Sequence, residues 1–127
     1  MIAHIPIRPV LPAANLERAR QRYSETLGLD PVAVSPFGDL EYEAGGVGFL
    51  LYESASAGTN QATAAGFKLE NFDEVVEWLR SRGVEFMHVD FGEMGATVEG
   101  VITTPDGQKA AWFKDSEGNT FALSTFA

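Results

Sequence analysis

The chain has 127 residues, with 18 acids against 9 bases and a formal net charge of −9. That length bounds it to one compact domain, or two half-domains sharing a core. A 45% hydrophobic and 21% charged composition fits a globular fold and not a disordered one. The acidic balance argues against nucleic acid as a partner, and zero cysteines remove disulfides, thiolate metal sites and thiol catalysis together. No apolar run approaches the roughly 18 residues of a membrane span. The start, MIAHIPIRPV, has no basic region ahead of an apolar stretch, so no signal peptide and a cytoplasmic location are expected.

In chain order, HIPIRPVLP at 4–12 has strand character, and NLERARQRYSETLGL follows from Asn15. Asn is a preferred helix N-cap because its side chain accepts a bond from an orphan backbone N–H. Glu17 suits the first turn, and Leu16, Ala19, Tyr23 and Leu27 share one helical face. Gly28 is the expected left-handed stop. Strand-like runs at 31–36, 40–44 and 47–54 follow, separated by Phe37-Gly38-Asp39 and Gly45-Gly46.

The same plan then recurs. QATAAGFKLE at 61–70 reads as a strand, and NFDEVVEWLRSRGVEF from Asn71 as a helix stopped at Gly83. Glu74 adds a capping-box geometry. Phe72, Val75, Val76 and Leu79 form its apolar face. The two cap asparagines lie 56 positions apart. Strands are expected at 84–89, 109–114 and 120–126, with turns at Pro105-Asp106-Gly107 and Asp115–Asn119. A second echo, G-x-x-F-x-L, runs from Gly46 and again from Gly118, an offset of 72. The second half therefore holds 16 more residues between helix and last strand, near Phe91–Asp106. Ser54–Asn60 reads as a linker or an ordinary surface loop. The organisation is one domain over 1–127: a β-α-β-β-β module at 1–54, a linker at 55–61 and a second module at 62–127.

Two tandem βαβββ modules, with Asn15–Leu29, Gly66–Phe86 and AAWFKDSEGN at 110–119, resemble the vicinal-oxygen-chelate superfamily. That group holds glyoxalase I, the bleomycin-resistance proteins and the extradiol dioxygenases. The resemblance implies an α+β fold of cupped mixed sheets with helices on the convex side and the ligand in the cup. It also implies homodimers in which modules of different subunits complete a cup. Catalytic members hold a divalent metal there, with His or Gln from the first strand of each module and Glu from the last. The matching positions here are Arg8 and Ala64 on the first strands, and Leu50 and Ala122 on the last. None is a metal donor, and Arg8 repels a cation. A one-residue slip does not supply a donor, since the neighbours are Ile7, Pro9, Phe49, Leu51, Ala65, Phe121 and Leu123. No metal and no other cofactor is therefore expected.

Arg8 in the cup needs a partner, either a ligand oxygen or a protein carboxylate such as those of Glu41-Tyr42-Glu43. Tyr42, Tyr52 and Trp112 are candidate pocket aromatics, and Lys68 a candidate rim cation. Phe91–Gly95 reads as a lid over the cup, while Ala96–Thr104 reads equally as an added strand. His88 and Asp90 form either a general-base pair or an exposed strand end, and Glu93 would complete a metal triad by residue type alone. Trp78 is either core or a dimer contact. The ligand-binding set is thus Arg8, Tyr42, Leu50, Tyr52, Ala64, Lys68, Phe91, Trp112 and Ala122. The reading is a metal-free protein of the glyoxalase/bleomycin-resistance type that holds a small organic molecule, planar or cationic. The alternative is an enzyme of that superfamily, a lyase, isomerase or dioxygenase-like protein with an unrecognised metal site or metal-independent chemistry.

Overall fold

A computed structural model describes residues 1–126. The first module runs β1 (Val10–Ala13), α1 (Leu16–Arg22), β2 (Ala33–Val34), β3 (Leu40–Ala44) and β4 (Val47–Glu53). The second runs β5 (Thr63–Lys68), α2 (Phe72–Ser81), β6 (Val101–Thr103), β7 (Lys109–Lys114) and β8 (Thr120–Ser124). Each forms a four-stranded mixed sheet, in the orders β1-β4-β3-β2 and β5-β8-β7-β6. The first and last strands of each module pair in parallel, and the remaining pairs are antiparallel. The parallel pair needs a crossover, which is the work of each helix. This is the expected α+β architecture of two βαβββ modules.

The differences from expectation have local causes. The first strand is ordered as strand only over 10–13, because Pro6 and Pro9 lack the N–H a ladder needs. The second strand shrinks to two residues. Asn15 caps α1 as expected, accepting from the Arg18 N–H at 2.9 Å. Asn71 makes no such bond, and its backbone (φ −90°, ψ 53°) lies outside the extended region that a capping side chain uses. The α1 helix widens into a π-turn over Tyr23–Leu27 before Gly28 stops it at φ +66°.

The largest departure lies after α2. Residues 84–89 do not form a strand. They touch β7 through one bridge, Phe86↔Phe113, and one bond, Met87 N–H to the Trp112 carbonyl at 2.8 Å. The place expected for them beside β7 belongs to β6, from within the extra residues. A tight turn precedes it: Glu99 (φ 51°) and Gly100 (φ 81°) are both left-handed, as a two-residue hairpin turn demands. A Cβ on Gly100 would lie 2.5 Å from the Phe86 Cβ, so only glycine lets this turn fold against the 84–89 segment.

Strand alternation divides each sheet into two faces. One face is apolar and buried: Leu11, Leu40, Tyr42, Phe49 and Leu51 in the first module, Ala111, Phe113, Phe121 and Leu123 in the second. Ala19 and Tyr23 of the first helical segment and Phe72, Val76 and Leu79 of α2 join the same cluster. The core is therefore continuous across both modules. Aromatic rings bridge it: Tyr42 stacks on Phe49 at 5.1 Å, Tyr23 meets Phe121 edge-on at 6.4 Å, and Phe121 stacks on Phe113 at 5.5 Å. At about 25 cal/mol per Å² of apolar surface, this shared burial is what holds two small modules together.

Candidate functional site

The opposite, open face carries the expected site positions. Register places Val10 beside Leu50 and Glu41 beside Leu50 on its other flank. Tyr52, two residues on, shares that face. In the second module Gly66 and Trp112 flank Ala122, and Lys68 pairs with Ser124. Thus Leu50, Tyr52, Ala122, Trp112 and Lys68 lie on open faces. Ala64 lies at a bulge between Thr63 and Ala65, two residues before Gly66, and is exposed.

Tyr42 does not belong with them. It pairs with Phe49, not Leu50, so alternation turns it into the core, where it is 2% exposed. Burial pushes its phenol up to about 12, and its hydroxyl has no partner among the described residues. The sequence placed it beside Glu41 and Glu43, but on a strand the middle residue points the other way.

Arg8 is brought to Glu41, at 3.5 Å between Nη1 and Oε1. Arg8 precedes β1 and is not on the strand where it was expected, and its guanidinium reaches Glu41, which lies on the Leu50 face. Its partner is one of the two carboxylates foreseen. Both side chains are accessible, 52% and 30% exposed, so the pair adds little stability and is open to exchange. Phe91 packs on Trp112, ring centroids 5.3 Å apart and tilted by 50°. Around it the chain makes a short 3-10 turn, Gly92–Met94, with Asp90 Oδ1 accepting from the Gly92 N–H at 2.8 Å.

The His88–Asp90 pair is not formed. His88 Nδ1 lies 3.1 Å from Thr97 Oγ1, while Asp90 serves the turn. Among the described residues no three His, Asp or Glu side chains come together as a metal site. At the four positions where ligands were expected, Arg8, Leu50, Ala64 and Ala122, the guanidinium, isobutyl and two methyl side chains fit no divalent cation.

Charge is instead concentrated where the modules join. The Glu117 carboxylate is fully buried and accepts from Arg18 Nε (2.9 Å), Arg18 Nη2 (2.9 Å), Asn15 N–H (3.0 Å) and Ser116 Oγ (2.7 Å). Burial alone would raise its pKa. The bonds from Arg18, Ser116 and Asn15 and the Arg18 charge overcome that and hold it at about 2. Beside it, Tyr23 donates to Asp115 at 2.7 Å, and burial and that carboxylate push the phenol far up. The D-S-E-G-N segment was legible as a turn, but its grip on α1 was not. A second joint is aromatic: Arg82 stacks over Trp78 at 4.5 Å and donates to the Glu25 carbonyl at 2.8 Å, while Trp78 packs against Gly28. Trp78 is an inter-module contact, 42% exposed.

Among the described residues no helix is long and apolar enough to cross a membrane. Comparison with curated proteins finds no match. Solved structures share the fold. The glyoxalase family protein from Enterococcus faecalis is 20% identical, with 98% of this chain and 99% of that one covered and a TM-score of 0.69. Lactoylglutathione lyase from Agrobacterium tumefaciens is 18% identical, covering 95% and 92%, with a TM-score of 0.65. The fosfomycin resistance protein FosX from Mesorhizobium loti is 14% identical, covering 98% and 93%, also at 0.65. The two βαβββ sheets, their parallel first and last strands, and a family-model match over residues 2–123 lead to one conclusion: the chain belongs to the Glyoxalase/Bleomycin resistance protein/Dioxygenase superfamily.

Proposed function

We propose that this protein is a metal-free binding member of its superfamily, which holds a small organic molecule against its open sheet faces. The observation that carries this reading is the side-chain set at the family's ligand positions. Arg8, Leu50, Ala64 and Ala122 offer apolar surface and one exchangeable cation where metalloenzymes need donors. Aromatic walls support it: Tyr52 is 37% exposed, and Phe91 leans on Trp112. Such rings give area to a planar ligand, with Arg8 for its anionic or carbonyl end and Glu41 and Glu43 for a cationic one.

The same reading includes a homodimer. Val10 (52% exposed), Tyr52 and the N-terminal Ile5 and Ile7 leave apolar surface uncovered, and among the described residues β1 and β5 are edge strands paired on one side only. Two copies, each giving one module to a shared cup, would cover that surface. Light scattering at micromolar concentration should then give twice the chain mass, and a clean monomer overturns the shared cup.

Mass spectrometry of natively purified protein tests the function. A bound organic molecule with far less than one equivalent of metal is the expected result. A stoichiometric divalent ion, whose removal by chelator abolishes a measured activity, overturns the reading.

A further inference from the structure

The open face of the second sheet carries two rows of residues side by side. One row, from β5 across β8 to β7, is Gly66, Ala122 and Trp112. Gly66 has no side chain and Ala122 only a methyl, so this row is a bare floor that ends at the indole. Phe91 leans on the same indole at 5.3 Å. Neighbouring strands lie about 4.8 Å apart, which leaves that floor wide enough for an aromatic ring against Trp112. The second row lies two residues along β8 and β7, and it is polar: Thr120 with Lys114 beside it. Residues two apart on a strand share a face and stand about 7 Å apart.

Thr120 breaks a rule of buried polar groups. It is 3% exposed, and its hydroxyl has no hydrogen-bond partner among the described residues. Buried hydroxyls are nearly always paired, so an unpaired one marks a place for a polar atom from outside the chain. Lys114 flanks Thr120 on β7, and Gln61 precedes Thr63, which flanks it on β5. Lys114 Nζ donates to Gln61 Oε1 at 2.9 Å, so this bond crosses β8 at the level of Thr120. Both of its residues are exposed, and water replaces such a bond at little cost. The ammonium has three donors, and it pairs with no carboxylate among the described residues. The acids that follow it, Asp115 and Glu117, are taken up by Tyr23 and Arg18 in the joint with α1.

We propose that the Thr120–Lys114 row is the acid-binding end of the open face, and that the ligand class is an aromatic carboxylate. The ring lies on Gly66 and Ala122 against Trp112. One carboxylate oxygen accepts from Lys114 Nζ and the other from Thr120 Oγ1. The row spacing of about 7 Å suits an acid group attached directly to its ring. The Lys114–Gln61 bond is a latch that the carboxylate displaces. This inference rests on the open-face binding reading and adds to it the ligand class and a second anchor, on the other module from Arg8.

The probe is 2-naphthoate, with 2-naphthalenemethanol as its uncharged counterpart, both measured by calorimetry. Naphthoate should saturate at one per chain, and the alcohol should bind at least tenfold more weakly. Amide resonances of Gln61, Lys114, Thr120 and Ala122 should shift on titration. Lys114→Gln should weaken naphthoate at least tenfold, and Thr120→Val about fivefold. Gln61→Ala, which removes the latch, should tighten it two- to fivefold. Arg20→Gln, the same loss of charge on an exposed position of α1, should leave it within twofold. Thr120→Val should also leave the thermal midpoint of the free protein unchanged or raise it, because it deletes an unpaired buried hydroxyl. A fall in that midpoint means the hydroxyl is held by a resident water, and overturns the proposal. Absence of saturable naphthoate binding overturns it, as does parental affinity in both Lys114→Gln and Thr120→Val with circular dichroism unchanged. Loss of naphthoate in Arg8→Ala with retention in Lys114→Gln overturns this anchor while leaving the binding reading intact. A stoichiometric metal in the native protein overturns that reading, and the naphthoate series still decides the anchor.

Discussion

The two joints between the modules are built on opposite principles. At one, the turn at 115–119 of the second module seizes the start of α1 with a fully buried carboxylate and a buried phenol. At the other, Trp78 and Arg82 of α2 lie over the end of the first helical segment, half in water. Buried charge-assisted bonds lose their whole network when one partner goes, whereas an exposed aromatic contact loses only area. The first joint should therefore set the angle between modules and the second should tolerate change.

The strongest way to break that contrast is Gly118→Ala. Gly118 has φ +86°, and a Cβ there would sit 2.7 Å from the Gly58 Cα, backbone against backbone. Strain and forced movement of the linker should cost about 3 kcal/mol or more, read as a fall in the urea midpoint. An unchanged midpoint would mean the turn is not clamped by the linker.

Next is Glu117→Ala, which orphans the Asn15 N–H and frees the Arg18 fork. A loss of about 2 to 3 kcal/mol is expected from hydrogen bonds to a charged group. The carboxylate also predicts a pH signature. Its folded pKa, about 2, lies below its ordinary value of 4.5, so the folded state favours the ionised form. The stabilisation is complete above pH 4.5 and is lost as pH falls toward 2. Glu117→Gln should flatten the acid limb of stability in that window, and an identical limb would remove Glu117 from the acid response.

Trp78→Ala sharpens the comparison from the other side. Partial burial predicts a loss of about 1 to 2 kcal/mol, less than at the buried joint. A larger loss than Glu117→Ala would reverse the ranking of the joints. Smallest in stability is Arg8→Ala, below about 1 kcal/mol, because the Arg8–Glu41 pair is solvent-screened. The same change should weaken an anionic or carbonyl ligand on the open face by about 1.5 to 3 kcal/mol, measured by calorimetry. Equal affinity would leave Arg8 a surface ion pair.

Much of this was legible in residues close in sequence. Asn15 and Gly28 bound a helix because caps act within one turn, and alternation at 47–53 marked a strand because side chains alternate locally. The same local reasoning failed for 84–89, which has strand composition but a strand's place on β7 already taken by β6. It failed for Tyr42 as well, which lies between two outward acids and is itself turned into the core. Neither His88 with Asp90 nor Asn71 made the bond its spacing suggested, because Thr97 and the local backbone intervened.

The sequence by itself determined the repeat, the two βαβββ modules, and the lack of metal donors at Arg8, Leu50, Ala64 and Ala122, since each depends on residue type and short spacing. Only the tertiary structure decided how the modules are joined. The bonds Arg18–Glu117 and Tyr23–Asp115 span 99 and 92 residues, and the bond from Arg82 to the Glu25 carbonyl spans 57. Such contacts leave no periodic trace in a sequence, because they form where two finished surfaces meet, and their geometry is set by the packing of both cores at once.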